Sequence, residues 1–353
     1  MAKYSCPKPA DAHPDFNNLL KVLRRQKPDR TVLFEFFLND PLYRVLAGAQ
    51  AGKFNAADPY DKMQLVIQAY RNAGYDYAPV PGSNFAFPSG THQQIATRSL
   101  NEGGIIKDRH GFEEYPWPEP DNFDCDLLAR RADDLPDGMQ FIVYGPGGVL
   151  ENVIMLAGFD NLCWLMADDP KLTMEIFNAV GSRLLKYYQK ALPYATVGAI
   201  ISNDDWGFKT QPMLSPADMR KYVFPWHKQI AAAAHHAGKP AILHSCGNLD
   251  SVMNDIIVDI GYDAKHSYED AIKPVEEAYE ELHGKIAVLG GIDVDFITRS
   301  TPDQVYRRSR AMLERADARG AYALGTGNSV PEFIPHENYF AMLAAVKDFP
   351  FRK

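Results

Sequence analysis

The sequence contains no run rich in Lys and Arg, and its formal net charge over 353 residues is −8. Both features argue against nucleic acid or an anionic membrane as the main partner. No uninterrupted apolar stretch approaches the ~18 residues of a membrane span. Met1 to Asp15 lacks a basic segment followed by an apolar one, so the expected location is the cytoplasm. Only four cysteines occur, Cys6, Cys125, Cys163 and Cys246, without paired spacing, which excludes a disulfide framework and fits a reducing compartment. A P-loop, a dinucleotide fingerprint and a Gly-x-Ser-x-Gly elbow are all missing. The glycines of Gly145-Pro-Gly-Gly148 and Gly325-Thr-Gly-Asn328 therefore read as turns rather than phosphate cradles. No repeat, low-complexity segment or linker divides the chain, and a single domain over 1–353 is expected.

What the chain does have is enough apolar material for a large core, 46% of residues, with 12% aromatic. An amphipathic helix is expected from Asp15 to Lys27. After it, short apolar runs alternate with helical patterns: strands at Thr31–Leu38, Tyr75–Pro81, Gln140–Tyr144, Val197–Ser202, Ala241–His244, Asp263–Ser267, Ile286–Leu289 and Ala321–Leu324. About eight β-then-α units predict a single (β/α)₈ TIM barrel of the α/β class rather than a doubly wound sheet. The polar, aromatic stretch 82–121 after the second strand reads as an excursion over the barrel mouth. A hairpin is expected in it, Thr91 to Ser99 against Gly103 to Lys107, and Phe85, Phe87, Tyr115 and Trp117 are available either to stack on a planar substrate or to pack on their own domain.

In such a barrel the active site forms at the C-terminal ends of the strands. Those ends offer Glu35, Asn39, Ser83, Tyr144, Asn203, Asp204, Asp205, His244, Cys246, Lys265, His266, Glu269, Asp293, Thr326 and Asn328. His244 and Cys246 stand at i and i+2, on one face of a strand, where an imidazole and a thiolate can reach one ion. Two ligands do not make a site, and a strand-end cysteine is often an inert small hydrophobe. Glu35 is a lone carboxylate among Val32, Leu33, Phe34, Phe36 and Phe37, so it faces solvent, a hydrogen-bond partner or a functional cavity. Asp204, Asp293 and Asn328 have helix capping as an equal alternative to a site role. The histidines on predicted helices and loops, His227 among them, read as surface or packing residues.

Ser202-Asn-Asp-Asp-Trp-Gly207, His244-Ser-Cys-Gly-Asn248, Gly290-Gly-Ile-Asp293 and Gly325-Thr-Gly-Asn-Ser-Val-Pro331 followed by Ile334-Pro-His-Glu-Asn338 together resemble the uroporphyrinogen decarboxylase superfamily. The Arg-rich loop after the first strand and the Asp after the second, typical of the decarboxylases, are missing from Phe34–Asp40 and Ala78–Ser83. The chain looks more like the cobalamin-dependent methyltransferase branch, with its His-x-Cys zinc motif. The second Cys that completes the zinc site of coenzyme M methyltransferases is absent from Gly325–Asn328, and Glu35 is the preferred third ligand beside His244 and Cys246.

The resemblance implies zinc as cofactor and a corrinoid (cobalamin) carried by a partner protein. A mixed His/Cys/carboxylate set suits an oxygen-bearing substrate, and the methyltransferase component of methoxyarene O-demethylases is the nearest fit. The expected reaction moves a methyl group from a small methyl donor, an aryl methyl ether, to Co(I). Asp205, Lys265 and His266 are the catalytic candidates, to orient the substrate or protonate the leaving oxygen, and Tyr144, Asn203, Asp293 and Asn328 are the substrate-binding ones. Transfer from a methyl-corrinoid to an acceptor such as a thiol, metal-free decarboxylation and a non-catalytic corrinoid-protein-binding scaffold are the alternatives. Oligomeric state is left open, a homodimer included.

Overall fold

The computed structural model describes residues 3–8, 13–55, 57–89, 100, 104–130 and 134–350. Among the described residues, seven parallel strands follow one another in sequence order around a barrel-like sheet: β1 Tyr77–Pro81, β2 Gln140–Tyr144, β3 Val197–Asn203, β4 Ala241–His244, β5 Ala264–His266, β6 Ala287–Leu289 and β7 Tyr322–Ala323. Helical segments separate successive strands, and β4 is buried along its whole length, as a parallel sheet covered on both faces requires.

Thr31–Leu38, expected as the first barrel strand, does not form a ladder strand. It meets the sheet through one parallel bridge, Leu33 to Leu324. On its other side tyrosine hydroxyls stand in for a neighbouring backbone. Tyr77 Oη receives Glu35 N–H at 2.7 Å and donates to Glu35 O at 2.5 Å, Tyr70 Oη donates to Phe36 O at 3.1 Å, and Leu38 N–H donates to Tyr43 Oη at 3.1 Å. Every polar group so served is buried, which is the condition for side chains to replace a ladder.

Helix boundaries follow local chemistry. Asp58 caps Pro59–Ala73 through the amides of Tyr60 and Asp61, and Gly74 ends it in the left-handed region at φ 98°. The helical stretch after β2 breaks at Gly158 and at Asp169, giving Val149–Ala157, Phe159–Asp168 and Pro170–Ala191; the first two are bent by 93°. No single helix among the described residues is long and apolar enough to cross a membrane.

Most of the expected hairpin, Thr91–Ser99 with residues 101–103, lies outside the described residues, and 104–107 form no strand. The aromatics of the excursion pack on their own domain. Phe85 lies against Phe87, Phe123 and Tyr187, and the guanidinium of Arg183, from helix Pro170–Ala191, sits 5.0 Å from the Trp117 ring centre. Phe85, Phe87 and Tyr115 are buried.

Candidate metal centre

Asn203, His244 and His266 are register partners across β3, β4 and β5, so their side chains share the inner face of the barrel. Their neighbours Ser202 and Lys265 point outward. Beyond the strands the β3 and β4 loops zip together: Asp204 N–H donates to His244 O at 3.0 Å, Gly207 N–H to Cys246 O at 3.1 Å and Asn248 N–H to Phe208 O at 2.8 Å. A Cβ at Gly247, whose φ is 89°, would lie 2.1 Å from Gly207 O. Only glycine permits both this conformation and this approach.

The zipped loops bring Asp205, His244 and Cys246 together, with one ligand atom of each within 4.8 Å of the others. Cys246 Sγ is 3.8 Å from His244 Nε2, Asp205 Oδ1 is 4.0 Å from the same nitrogen, and Asp205 Oδ1 accepts Cys246 N–H at 2.8 Å. Zinc bonds of ~2.3 Å to sulfur and ~2.0 Å to nitrogen put tetrahedral S···N neighbours about 3.5 Å apart. The His–Cys pair therefore fits Zn²⁺ with little movement, and three protein ligands leave a fourth position for another molecule. The Asp205 side chain is 37% exposed and His244 only 9%, so that position opens towards the mouth.

The tautomers follow from the partners. His266 Nε2 lies 3.2 Å from Thr326 O, a carbonyl that can only accept, so His266 carries its proton there. His266 Nδ1 is then an acceptor for His244 Nδ1–H at 2.8 Å, which leaves the His244 Nε2 lone pair facing Cys246 and Asp205. Burial, then each other's proximity and Lys265, hold His244 well below its ordinary value, and burial pushes His266 down to about 3. Both rings are neutral, as a metal ligand and its orienting neighbour require.

Cys246 Sγ receives Asn328 Nδ2–H at 3.2 Å and Ser267 Oγ–H at 3.4 Å. Burial and the adjacent Asp205 carboxylate nevertheless push the thiol up to about 12. The sulfur therefore carries its proton, which a bound metal ion would displace.

The expected third ligand, Glu35, is not in this group. It is fully buried, and its Oε1 accepts Thr326 N–H at 2.7 Å while Oε2 lies 2.6 Å from Thr326 Oγ1. Asp205 takes the carboxylate place. Lys265 does not join the group either: its Nζ donates to Ser267 O at 2.6 Å and Ser245 O at 3.4 Å on the outer side of β5, and burial lowers it to about 8. His266 stands behind His244 rather than beside the open position. Asp293 accepts Phe296 N–H and Asp270 N–H, each carboxylate oxygen holding one backbone amide. Asn328 touches the candidate sulfur ligand.

Tyr144 and Asn203 stand at the C-terminal ends of β2 and β3. Tyr144 meets Phe37 and Phe36 edge-on at 4.9 and 5.9 Å, and the Phe36 ring centre is 4.7 Å from that of His244. Asn203 Oδ1 is buried with no hydrogen-bond partner among the described residues. Residue types alone did not single out Phe36, Phe37, Ser267 or the orienting role of Thr326. The Phe36-Phe37 pair following a strand-end carboxylate was the one available signal.

Comparison with known proteins adds a lineage. The family model described as uroporphyrinogen decarboxylase (URO-D) matches residues 16–349. A methylated-thiol–coenzyme M methyltransferase of Methanosarcina mazei is 25% identical over 196 residues, 55% of this chain and 50% of that protein. A uroporphyrinogen decarboxylase of Anaeromyxobacter is 22% identical over 195 residues, 55% and 53% respectively. The chain thus spans about half the length of these two relatives. It is 22% identical over 330 residues to a uroporphyrinogen decarboxylase of Myxococcus xanthus, covering 88% of this chain and 90% of that one. Among solved structures, a methyltransferase from Methanosarcina mazei shares the fold with TM-score 0.67 at 15% identity, over 94% of this chain and 97% of that one.

Proposed function

The chain belongs to the uroporphyrinogen decarboxylase family, and from that premise we propose that it is a zinc-dependent methyltransferase that moves a methyl group from an aryl methyl ether to the Co(I) of a corrinoid carried by a partner protein. The observation that carries this reading is the Asp205–His244–Cys246 group, a mixed O/N/S donor set with a position open to the barrel mouth. Asp205, His244 and Cys246 would hold the zinc, which would supply Lewis acidity to a phenolate leaving group. A carboxylate in the set makes the site harder than a two-cysteine one and favours oxygen over sulfur.

The remaining work falls to the chain. Phe36, Phe37 and Tyr144 form an aromatic wall beside His244, against which a planar ring is held. The Asn203 amide, in register with His244 and with its buried oxygen unpartnered, is suited to a polar ring substituent. No arginine stands at any of the described strand ends, which weighs against a substrate bearing many carboxylates.

A second reading, transfer from a methyl-corrinoid to a thiol, is favoured by the name of the Methanosarcina mazei relative and opposed by the lack of a second cysteine at the centre. The test is zinc content per folded chain, followed by methylcobalamin formation from a methoxyarene and Co(I). Near-stoichiometric zinc and methylation dependent on it are expected. A chain that takes up no zinc, or that methylates only thiols, refutes the leading reading.

A further inference from the structure

Glu35 sits behind the candidate centre, fully buried, and the described residues offer it no cationic partner. A buried, unpaired carboxylate is costly. Counting protons around Thr326 removes that cost. The Thr326 hydroxyl contacts both Asn328 O and, at 2.6 Å, Glu35 Oε2. It has one proton, and Asn328 O can only accept, so the proton goes there. The remaining contact must then be donated by Glu35, while its other oxygen, Oε1, accepts Thr326 N–H. Burial independently pushes Glu35 up to about 8.

The same loop touches both strong ligands. Thr326 O fixes the tautomer of His266 and thereby of His244, and Asn328 Nδ2 donates to Cys246 Sγ. Gly325 makes this possible by lying so close to Phe34 O that a Cβ would be 1.7 Å from it. We propose that Glu35 is a positioning residue for the metal centre, a neutral carboxylic acid whose two hydrogen bonds to Thr326 set the loop that orients His244 and Cys246. The proposal rests on the reading of Asp205, His244 and Cys246 as metal ligands, and it gives Glu35 a place outside the ligand set.

Two measurements test it. The first is Zn²⁺ affinity, with the visible spectrum of Co²⁺-loaded protein as a report on ligand geometry. Glu35→Gln supplies an N–H donor and a C=O acceptor in the same positions, so affinity within about 2-fold of the parent and an unchanged Co²⁺ spectrum are expected. Glu35→Leu and Thr326→Val break the chain and are expected to lower affinity roughly 10- to 100-fold and alter the spectrum, the range typical of lost orienting partners. Thr326→Ser, which keeps the hydroxyl, restores both, and circular dichroism verifies that each variant is folded.

Equal metal binding by Glu35→Leu and the parent overturns the positioning role, and loss in Glu35→Gln as large as in Glu35→Leu overturns the neutral acid. The second measurement is the infrared difference between metal-free parent and Glu35→Gln at pH 7, in which the C=O stretch of a protonated carboxyl is expected. A carboxylate band in its place overturns the proton assignment whether or not metal binds. A parent chain that binds neither ion refutes the metal centre and the positioning role together, a result separable from failure of the variants alone.

Discussion

Asp204 and Asp205 are neighbours, and each stands beside a histidine, yet the two pairs differ in what is left unsatisfied. On the outer side of β3, Asp204 is fully buried and accepts Leu150 N–H, Glu151 N–H and His227 Nε2 at 2.8 to 2.9 Å. His227 Nδ1 in turn meets Tyr262 Oη at 2.7 Å. That pair is closed: it caps helix Val149–Ala157 from another strand and pins the outer helix that carries His227. On the inner side, Asp205 and His244 keep lone pairs facing a common point. A His–Asp pair becomes a candidate site by leaving hydrogen-bond capacity unused, and the saturated pair next to it is the scaffold.

The sharpest way to break this comparison is to damage each pair and read both stability and metal. Asp204→Ala removes a cap and leaves buried donors without a partner, so a loss of about 3–5 kcal/mol in urea unfolding is expected. The folded fraction should still take up zinc. Cys246→Ser should do the reverse, with zinc reduced to near background by elemental analysis and metal-free stability changed by about 1 kcal/mol or less. Asp205→Ala belongs with it but is milder, with zinc affinity down at least ~10-fold, because His244 and Cys246 remain. If Asp204→Ala lost zinc while staying folded, the division between the two pairs would fail.

Another test uses pH. Glu35 holds its proton in the folded chain up to about 8, against 4.5 ordinarily. Between those values the folded state binds the proton and the unfolded state does not, so the stability it contributes is complete below about 4.5 and is lost as pH rises towards 8. Urea unfolding of the metal-free parent, relative to Glu35→Gln, should weaken between pH 5 and 8 by roughly 1 kcal/mol per unit. A difference independent of pH would mean an ionised Glu35. The smallest effect expected is from Asn203→Ala, a several-fold rise in the KM of a hydroxylated methoxyarene with zinc content unchanged.

Much of this was legible in the chain because it is local. His-x-Cys at the end of an apolar run places two ligands on one face whatever surrounds them, and Asp58 with Gly74 bounds a helix by its own chemistry. Glu35 was legible as anomalous, but its partner Thr326 lies 291 residues away, and nothing in either segment says which will meet the other. The first strand was over-read for the same reason. Its run of β-forming apolar residues suits a ladder, while the hydroxyls of Tyr43, Tyr70 and Tyr77 that replace one come from three separate elements. Asp205 and Lys265 are both candidate site residues by sequence. The loop after β3, zipped to the β4 loop, turns Asp205 inward, while its place on β5 turns Lys265 away.

The interlock of Gly207 with Gly247 has a consequence for how such a protein diversifies. With no room for one added carbon at Gly207 or Gly247, neither glycine can change alone, and the two loops that carry the proposed ligands are tied to each other. The aromatic wall comes from other parts of the chain, Phe36-Phe37 and the end of β2, which the interlock does not constrain. Substrate choice can therefore drift in one half of the mouth while the other half stays fixed, and a designer seeking a new methyl donor should leave 204–208 and 244–248 untouched.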